Sequence, residues 1–235
     1  VCARFFGTEP GHVTFTSGTT DGINRLALAF RDRPGGIVVT ELEHHSNLVP
    51  WQQMCQKTGR TFRVCPILAD GTLNLDALDA MLEEKTALLA ISQCSNVLGM
   101  PIPLEQIIPL AHSRGIPVLV DGAQGACHMP VDLKALDCDY YVCSGHKLGA
   151  PFGIGLLYCK NPLPPMVYGG GMVSRVTAAE TTFLPPLEAG PPDVSGAVGL
   201  AAALEYRMQL PDGWQTHESP LLCHAGTLLR ALPDI

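Results

Sequence analysis

Short apolar runs of strand length alternate with helical stretches along most of the chain, and this alternation restricts the possible folds more than any other feature. The runs are rich in β-branched and aromatic residues and end in Gly, Pro, Asp or Ser, as strands do. The predicted strands are Val13–Thr16, Ile37–Glu41, Thr61–Ile67, Leu88–Ser92, Val118–Asp121, Tyr140–Ser144 and Gly153–Cys159. The predicted helices are Thr20–Phe30, His45–Thr58, Leu75–Glu84, Leu104–Arg114 and Gly196–Gln209. This order favours an α/β fold, a mostly parallel seven-stranded sheet with helices on both faces.

One pair of strands departs from this pattern. Only the residues 145–152 separate Tyr140–Ser144 from Gly153–Cys159, which is too few for a helical crossover. One of these strands is therefore predicted to be antiparallel. Pro109 lies inside the fourth predicted helix and indicates either a kink or a later start.

Two segments are rich in Pro and Gly, Asn161–Gly171 and Pro185–Pro192. They lack regular hydrophobic patterns, so residues 160–195 are predicted to form a long loop. Such a loop is either a mobile or interface-forming segment or a plain connection, and the sequence favours neither.

Composition limits the class of protein. The chain has 46% hydrophobic and 16% charged residues over 235 positions, which is enough for a large buried core. A net charge of −7 without a basic run argues against nucleic acid or an acidic membrane as the main partner. Nine cysteines at irregular spacings, without a CxxC pair, indicate reduced thiols in a cytoplasmic protein. No signal peptide or membrane span is recognisable, although a first residue other than Met is consistent with a fragment.

The carboxyl ends of the predicted strands carry polar side chains, and ligands of open α/β sheets bind at such ends. SGTTDGIN follows the first strand, so Thr19 and Thr20 lie where a strand turns into a helix. A glycine at Gly18 and free N–H groups at a helix start suit a phosphate. The alternative is that one threonine only caps the helix.

Polar residues also follow the second, fourth and fifth strands. His44 and His45 are adjacent and must point in different directions; no metal motif accompanies them. Asn96 follows the fourth strand. Asp121 ends an apolar strand, where an unpaired carboxylate is costly, so it either meets a cationic ligand atom, with Gln124 in reach of the same ligand, or caps the next turn.

The stretch YYVCSGHKLGAPFG ends the sixth strand with Ser144, His146 and Lys147. Loss of water around Lys147 disfavours its charged form, and a neutral amine can form a Schiff base with an aldehyde. Ser144 and His146 could hold an anion beside it. A phosphate cup, an amine, a carboxylate and an aromatic stacking partner together predict pyridoxal 5′-phosphate (PLP). Cys143 lies within the strand and is predicted to be a packed thiol.

Long motifs resemble a known family. SGTTDGIN, EHHSNLVPWQ, SNVLGMPIPL, VDGAQGACHMPVDL, DYYVCSGHKLGAPFGIGLLY, YGGGM and EAGPPDVSGAVGLAAALEY are similar to the group II cysteine desulfurases typified by SufS and CsdA. These belong to the class V aminotransferase family of fold type I PLP enzymes. The resemblance implies that residues 1–235 form a PLP-binding large domain, with an N-terminal segment and a C-terminal small domain missing.

The resemblance also implies roles. Lys147 would carry the cofactor and move a proton. The ring of His44 would stack on the cofactor and assist the proton transfer. Asp121 would pair with the pyridine nitrogen, Gln124 would bond the phenolic oxygen, and Asn96 would lie near the substrate.

The phosphate would be held by Thr20, the backbone at Thr19, Ser144 and His146. A mobile cysteine of the family attacks the sulfur of L-cysteine or L-selenocysteine, leaving alanine and a persulfide for a sulfur-acceptor protein and iron–sulfur cluster assembly. The family also implies a homodimer.

Three departures from the family leave alternatives open. The YLD-x-A-A-type start and the R-x-G-x-H-C-type cysteine loop have no counterpart, and VCARFFG resembles the tail of a helix. None of the nine cysteines matches the family nucleophile. Pro191 and Asp193 stand where Thr and Asn are usual, which predicts a lost contact across the dimer. The alternatives are another class V PLP enzyme (a selenocysteine lyase, an aminotransferase or another lyase) and a non-catalytic protein that uses the fold for dimerisation or binding.

Overall fold

The computed structural model describes residues 1–83, 85–183, 188–211 and 213–232. The strands are β1 Val13–Thr16, β2 Gly36–Thr40, β3 Phe62–Cys65, β4 Thr86–Ser92, β5 Val118–Asp121, β6 Tyr140–Ser144, β7 Gly155–Cys159, β8 Val173–Val176 and β9 Thr181–Phe183. The helices are α1 Cys2–Phe5, α2 Thr19–Phe30, α3 Val49–Thr58, α4 Leu75–Met81, α5 Leu104–Ser113, α6 Gly125–His128, α7 Leu133–Leu136, α8 Val194–Met208 and α9 Glu218–Arg230.

The main sheet has seven strands in the order β1-β7-β6-β5-β4-β2-β3. The neighbours from β3 to β6 are parallel, and β7 is antiparallel to both β6 and β1. The prediction of a mostly parallel sheet with one antiparallel strand is therefore confirmed. Because β1 runs in the same direction as β6, five strand ends that carry polar residues meet at one edge of the sheet, those of β1, β2, β4, β5 and β6.

Successive residues of the central strands face opposite sides of the sheet, and each side has its own core. Leu89, Ile91 and Val120 belong to one buried cluster, whereas Leu88 and Leu119 belong to the other. Helices α2 and α3 cover the second cluster, and α5 covers the first. Strands apolar on both faces, as these are, need helices on both sides to exclude water.

The structure corrects some predicted bounds. Helix α5 begins at Leu104 with Pro109 inside it, so a later start is wrong. Helix α4 ends at Met81; the prediction had reached Glu84, which lies outside the described residues. The segment VCARFFG does contain a helix, α1.

The predicted long loop 160–195 contains the antiparallel hairpin β8–β9. Its Pro- and Gly-rich parts flank the hairpin, and residues 185–187 of the second part lie outside the described residues. Asp193 N-caps α8, because its Oδ1 accepts a hydrogen bond of 2.8 Å from the Gly196 N–H. In the described part of the chain, no helix combines the length and apolarity needed to cross a membrane.

Candidate active site at the carboxyl edge of the sheet

One cavity of about 220 Å³ opens at the carboxyl edge of the sheet. This is below the roughly 300–1,000 Å³ of drug-sized pockets and suits a small ligand. The floor is buried and the rim is exposed. All nine residues named from the sequence line this cavity: Thr19, Thr20, His44, Asn96, Asp121, Gln124, Ser144, His146 and Lys147.

The first wall of the cavity is built where α2 begins beside the end of β6. The N–H of Thr19 donates to the Ser144 Oγ at 2.9 Å, and the Thr19 Oγ1 lies 2.8 Å from the same oxygen. The N-cap is Gly18, without a side-chain cap bond, so the alternative that a threonine only caps the helix is wrong. Both threonines instead line the cavity.

Two glycines allow this approach. A Cβ at Gly155 would lie 2.6 Å from the Gly18 Cα and 2.6 Å from the Cys143 carbonyl oxygen, a distance real side chains do not adopt. Gly18 has a φ of 146°, which favours glycine. The turn from β1 to α2 can therefore cross β7 and reach Ser144.

A chain of hydroxyls joins the first wall to His44. The Thr20 Oγ1 lies 2.8 Å from the Ser46 Oγ, which lies 3.0 Å from the His44 Nδ1. The Ser46 N–H also donates to the same Nδ1 at 3.1 Å. Because Nδ1 accepts this bond, a neutral His44 ring carries its proton on Nε2.

Asp121 forms the floor and is only 4% exposed. Burial raises the pKa of this carboxyl, and the hydrogen bond from the Ala123 N–H and the charges of Lys147 and His44 oppose that rise. The bond from Ala123 N–H to Oδ1 measures 2.9 Å, so Asp121 does cap its turn. A cation bound in the cavity would relieve the remaining cost of burying the carboxylate.

Lys147 belongs to a 3₁₀ turn, Gly145–Leu148, that follows β6 directly. Its side chain is half-buried and lines the cavity near Asp121. His146, on the same turn, stacks on the exposed ring of Phe152 with 5.0 Å between centroids and 16° between planes. The turn thus directs an amine inward and leaves an imidazole at the rim.

The structure adds residues that sequence reasoning missed. Ser46, Ser92, Cys94 and Ala123 also line the cavity. Ser46 could have been found from its position two residues after His44, a spacing typical of local serine hydrogen bonds. Ser92 could have been found because it ends β4, as Asp121 ends β5, and the two are paired in register. No signal in the sequence indicated Cys94.

The structure also answers the predictions made for His45 and Cys143. His45 lines a different groove, of about 1000 Å³ between α2 and α3, so the adjacent histidines do point apart. Cys143 is 1% exposed, and burial raises the pKa of its thiol, which confirms a packed cysteine. Across the described ranges, no group of three or more His, Cys, Asp or Glu residues could hold a metal ion.

Behind His44 lies a buried carboxyl, Glu43, that receives four hydrogen bonds. Its Oε1 accepts from the Thr40 Oγ1 at 2.7 Å and from the Ser92 N–H at 3.0 Å. Its Oε2 accepts from the Asn47 Nδ2 at 2.6 Å and from the Ser92 Oγ at 2.6 Å. Burial raises the pKa of Glu43 to about 7, and these bonds oppose the rise.

The raised pKa of Glu43 predicts that the free energy of unfolding depends on pH. Between about pH 4.5 and 7 the folded state binds more protons than the unfolded state, so the stabilisation present at low pH is lost as pH rises. Chemical denaturation measures the free energy of unfolding at about pH 5 and at pH 8. Between these two pH values the wild type should lose roughly 2–3 kcal/mol more of this free energy than Glu43→Gln does. The control Glu41→Gln, at an exposed position, should show the same change in the free energy of unfolding as wild type. If wild type and Glu43→Gln instead differ by the same amount at both pH values, the raised pKa of Glu43 is contradicted.

The residues of the cavity fit PLP. Hydroxyls and N–H groups of Thr19, Thr20 and Ser144 suit a phosphate, and the buried Asp121 suits a protonated pyridine nitrogen. Lys147 supplies the amine near that carboxylate, and His44 supplies a flat ring. The donor set therefore matches the cofactor by chemistry, with anionic and cationic ends recognised by different walls.

Known proteins resemble this chain in sequence and in structure. The family model described as aminotransferase class-V matches residues 1–235. A cysteine desulfurase of Shigella sonnei is 46% identical over 236 residues, covering 95% of this chain and 58% of the relative. The chain thus spans somewhat over half the length of the curated relatives it matches.

Solved structures show the same fold. The cysteine desulfurase CsdA (S-sulfonic acid) from Escherichia coli superimposes with a TM-score of 0.85 at 40% identity, covering 89% of this chain and 56% of CsdA. A mutant of C-DES with glycine covalently linked to the PLP cofactor superimposes with a TM-score of 0.82 at 26% identity, covering 99% of this chain and 64% of that one.

Proposed function

The chain belongs to the class V aminotransferase family, and from that premise we propose that it binds PLP through Lys147 and serves as the cofactor-binding part of a cysteine desulfurase. The observation that carries the proposal is the convergence of nine chemically matched side chains on one cavity. The names of the relatives at 46% identity support the choice of cysteine desulfurase within the family.

PLP, when bound, supplies an electron sink that stabilises negative charge on the substrate's α-carbon. Lys147 Nζ would attach the cofactor and would then accept and return the α-carbon proton. Asp121 would keep a proton on the pyridine nitrogen through its charge. The imidazole of His44, which lines the cavity, would stack on the cofactor ring and transfer the proton carried on its Nε2.

The remaining side chains orient and select. Thr19, Thr20, Ser144 and His146 bind the phosphate, and Ser46 keeps the Thr20 hydroxyl in place. Gln124 would donate to the phenolic oxygen, and Asn96 would contact the substrate from the exposed rim. Buried floor residues exclude water from the reacting face, which strengthens these charge interactions.

The substrate and partners are proposals of the same kind. We propose L-cysteine or L-selenocysteine as substrate, a sulfur-acceptor protein that serves iron–sulfur cluster assembly, a cytoplasmic location and a homodimer. The groove between α2 and α3 supports a dimer, because it is large, carries the 54% exposed Leu28 and shares Thr20 and Ser46 with the cavity. The loss of a cross-dimer contact at Pro191 stays a prediction.

Product analysis tests the reaction class. In the PLP-loaded chain with L-cysteine, a dithiothreitol thiolate would attack the substrate's sulfur in place of the family cysteine and leave alanine. The resulting dithiothreitol persulfide would close to the cyclic disulfide and release sulfide, so alanine, sulfide and oxidised dithiothreitol should form in equal amounts. Pyruvate with ammonia would indicate a β-eliminating lyase, and a keto acid with an aminated cofactor would indicate an aminotransferase. Without dithiothreitol we expect little persulfide on the chain's own cysteines, since none matches the family nucleophile. Rapid alanine release under that condition would contradict this assignment.

A further inference from the structure

The Glu43 carboxylate is buried at the junction of three elements next to the cavity. Its partners come from the end of β2 (Thr40), the end of β4 (Ser92) and the 3₁₀ turn His45–Asn47. The ionised carboxylate, which is the form present above its pKa of about 7, has about four acceptor positions, and here all four contacting groups are donors. The arrangement is therefore built for an acceptor and leaves little room for an amide.

Asn47 cannot turn to accommodate a different partner. Its Oδ1 accepts from the Trp51 Nε1–H at 3.1 Å, and its backbone N–H donates to the His44 carbonyl at 2.7 Å. The Nδ2 must therefore face Glu43. Asn47 and Trp51 are both 0% exposed, so bulk solvent does not reach these bonds.

This network ends at the two sides of the cavity. Glu43 precedes His44 directly, and Asn47 closes the turn that begins at His44. Ser92, which donates two of the four hydrogen bonds to Glu43, lines the cavity beside Asp121. Burying a carboxyl in such a place is costly compared with an apolar side chain, so a role in stability alone explains it poorly.

We propose that Glu43 is a positioning residue, which holds the imidazole of His44 and the hydroxyl of Ser92 at the cavity wall through Asn47 and the end of β4. This positioning role extends the proposed function. It depends on that function only in the second test below, which measures PLP binding. Glu43 itself touches neither the cavity nor the substrate.

The first test needs no cofactor. At about pH 8, above the pKa of Glu43, the His44 signals of the ¹⁵N-histidine-labelled chain should show one neutral tautomer with the proton on Nε2. These signals are assigned by their loss in His44→Gln. Glu43→Gln places an amide against the Asn47 Nδ2, so the turn should shift and the single-tautomer pattern should be lost. Glu41→Gln, an exposed neighbour on the same segment, should keep the wild-type pattern. Unchanged His44 signals in Glu43→Gln would overturn the proposal.

The second test measures PLP binding by titration. Glu43→Gln should raise the dissociation constant roughly tenfold, whereas the same change in a His44→Ala background should raise it less than about twofold. Of the two side chains that Glu43 positions, only His44 is proposed to contact the cofactor, so the effect on binding acts through His44. Equal losses in both backgrounds would overturn the proposal. If wild type does not bind PLP, the proposed function is refuted. The histidine spectra then decide by themselves whether Glu43 positions His44.

A milder variant covers the case in which Glu43→Gln does not fold. Thr40→Val removes one donor to the carboxylate, keeps the side-chain shape and does not line the cavity. It should shift the His44 ¹⁵N signals in the same direction by a smaller amount. Signals identical to wild type in folded Thr40→Val would count against positioning.

Discussion

Replacing Lys147 with alanine is expected to abolish covalent attachment of PLP. The amine lies on a turn fixed by β6, half-buried beside Asp121, and alanine offers no nitrogen to the aldehyde. Borohydride reduction of the loaded wild-type chain, followed by peptide mass spectrometry, should place the reduced cofactor on Lys147. The variant should show neither that adduct nor the visible absorbance of the lysine-linked cofactor.

Lys160→Ala is the matched control for this experiment. Lys160 follows β7, at the opposite edge of the sheet from the cavity, and pairs with Asp137 at 2.6 Å. This variant should retain the adduct in full. An adduct of wild-type yield in Lys147→Ala would show that another amine carries the cofactor and would remove the central residue of the proposed function.

Replacing Asp121 with asparagine is expected to change binding and stability in opposite directions. The amide can still accept from the Ala123 N–H, but it cannot pair with a protonated pyridine nitrogen. Loss of a hydrogen bond to a charged group costs about 1.5–3 kcal/mol, so the PLP dissociation constant should rise roughly 10- to 150-fold. The cofactor-free variant should be as stable as wild type or more so, because a buried charge is removed.

Asp132→Asn provides a control with a similar side-chain-to-backbone hydrogen bond. Its Oδ1 also accepts from the backbone N–H two residues on, at 2.9 Å, but the side chain lies on the exposed start of α7. Thermal denaturation and PLP titration of both variants distinguish the effect of changing the turn from the effect of removing the carboxylate charge. Unchanged PLP affinity in Asp121→Asn would take Asp121 out of the binding site.

Local patterns were sufficient for most of the fold. Three strands, Val13–Thr16, Val118–Asp121 and Tyr140–Ser144, have the predicted bounds, since apolar β-branched runs bounded by turn residues carry their own signal. The short helices α6 and α7 were missed because one turn of helix leaves no periodicity to read. The β8–β9 hairpin was missed because its strands are three and four residues long and mostly exposed.

The candidate site shows the same division. Nine lining residues could be named because parallel strands bring their carboxyl ends together and because long motifs resemble a family. Ser46 and Ser92 required the structure, since a single serine is too common to predict a contact. Glu43 gave no signal as a buried residue, because a glutamate after a strand is usually solvent-exposed.

The amino-acid sequence by itself determined the α/β alternation, the antiparallel strand and the chemistry at each strand end, because these depend on neighbours along the chain. Only the tertiary structure decided that Glu43 lies between β2, β4 and the His45–Asn47 turn, and that Gly155 lets Gly18 approach Ser144. Those contacts join residues far apart in sequence, and their distances follow from how the strands and helices pack together rather than from any local pattern.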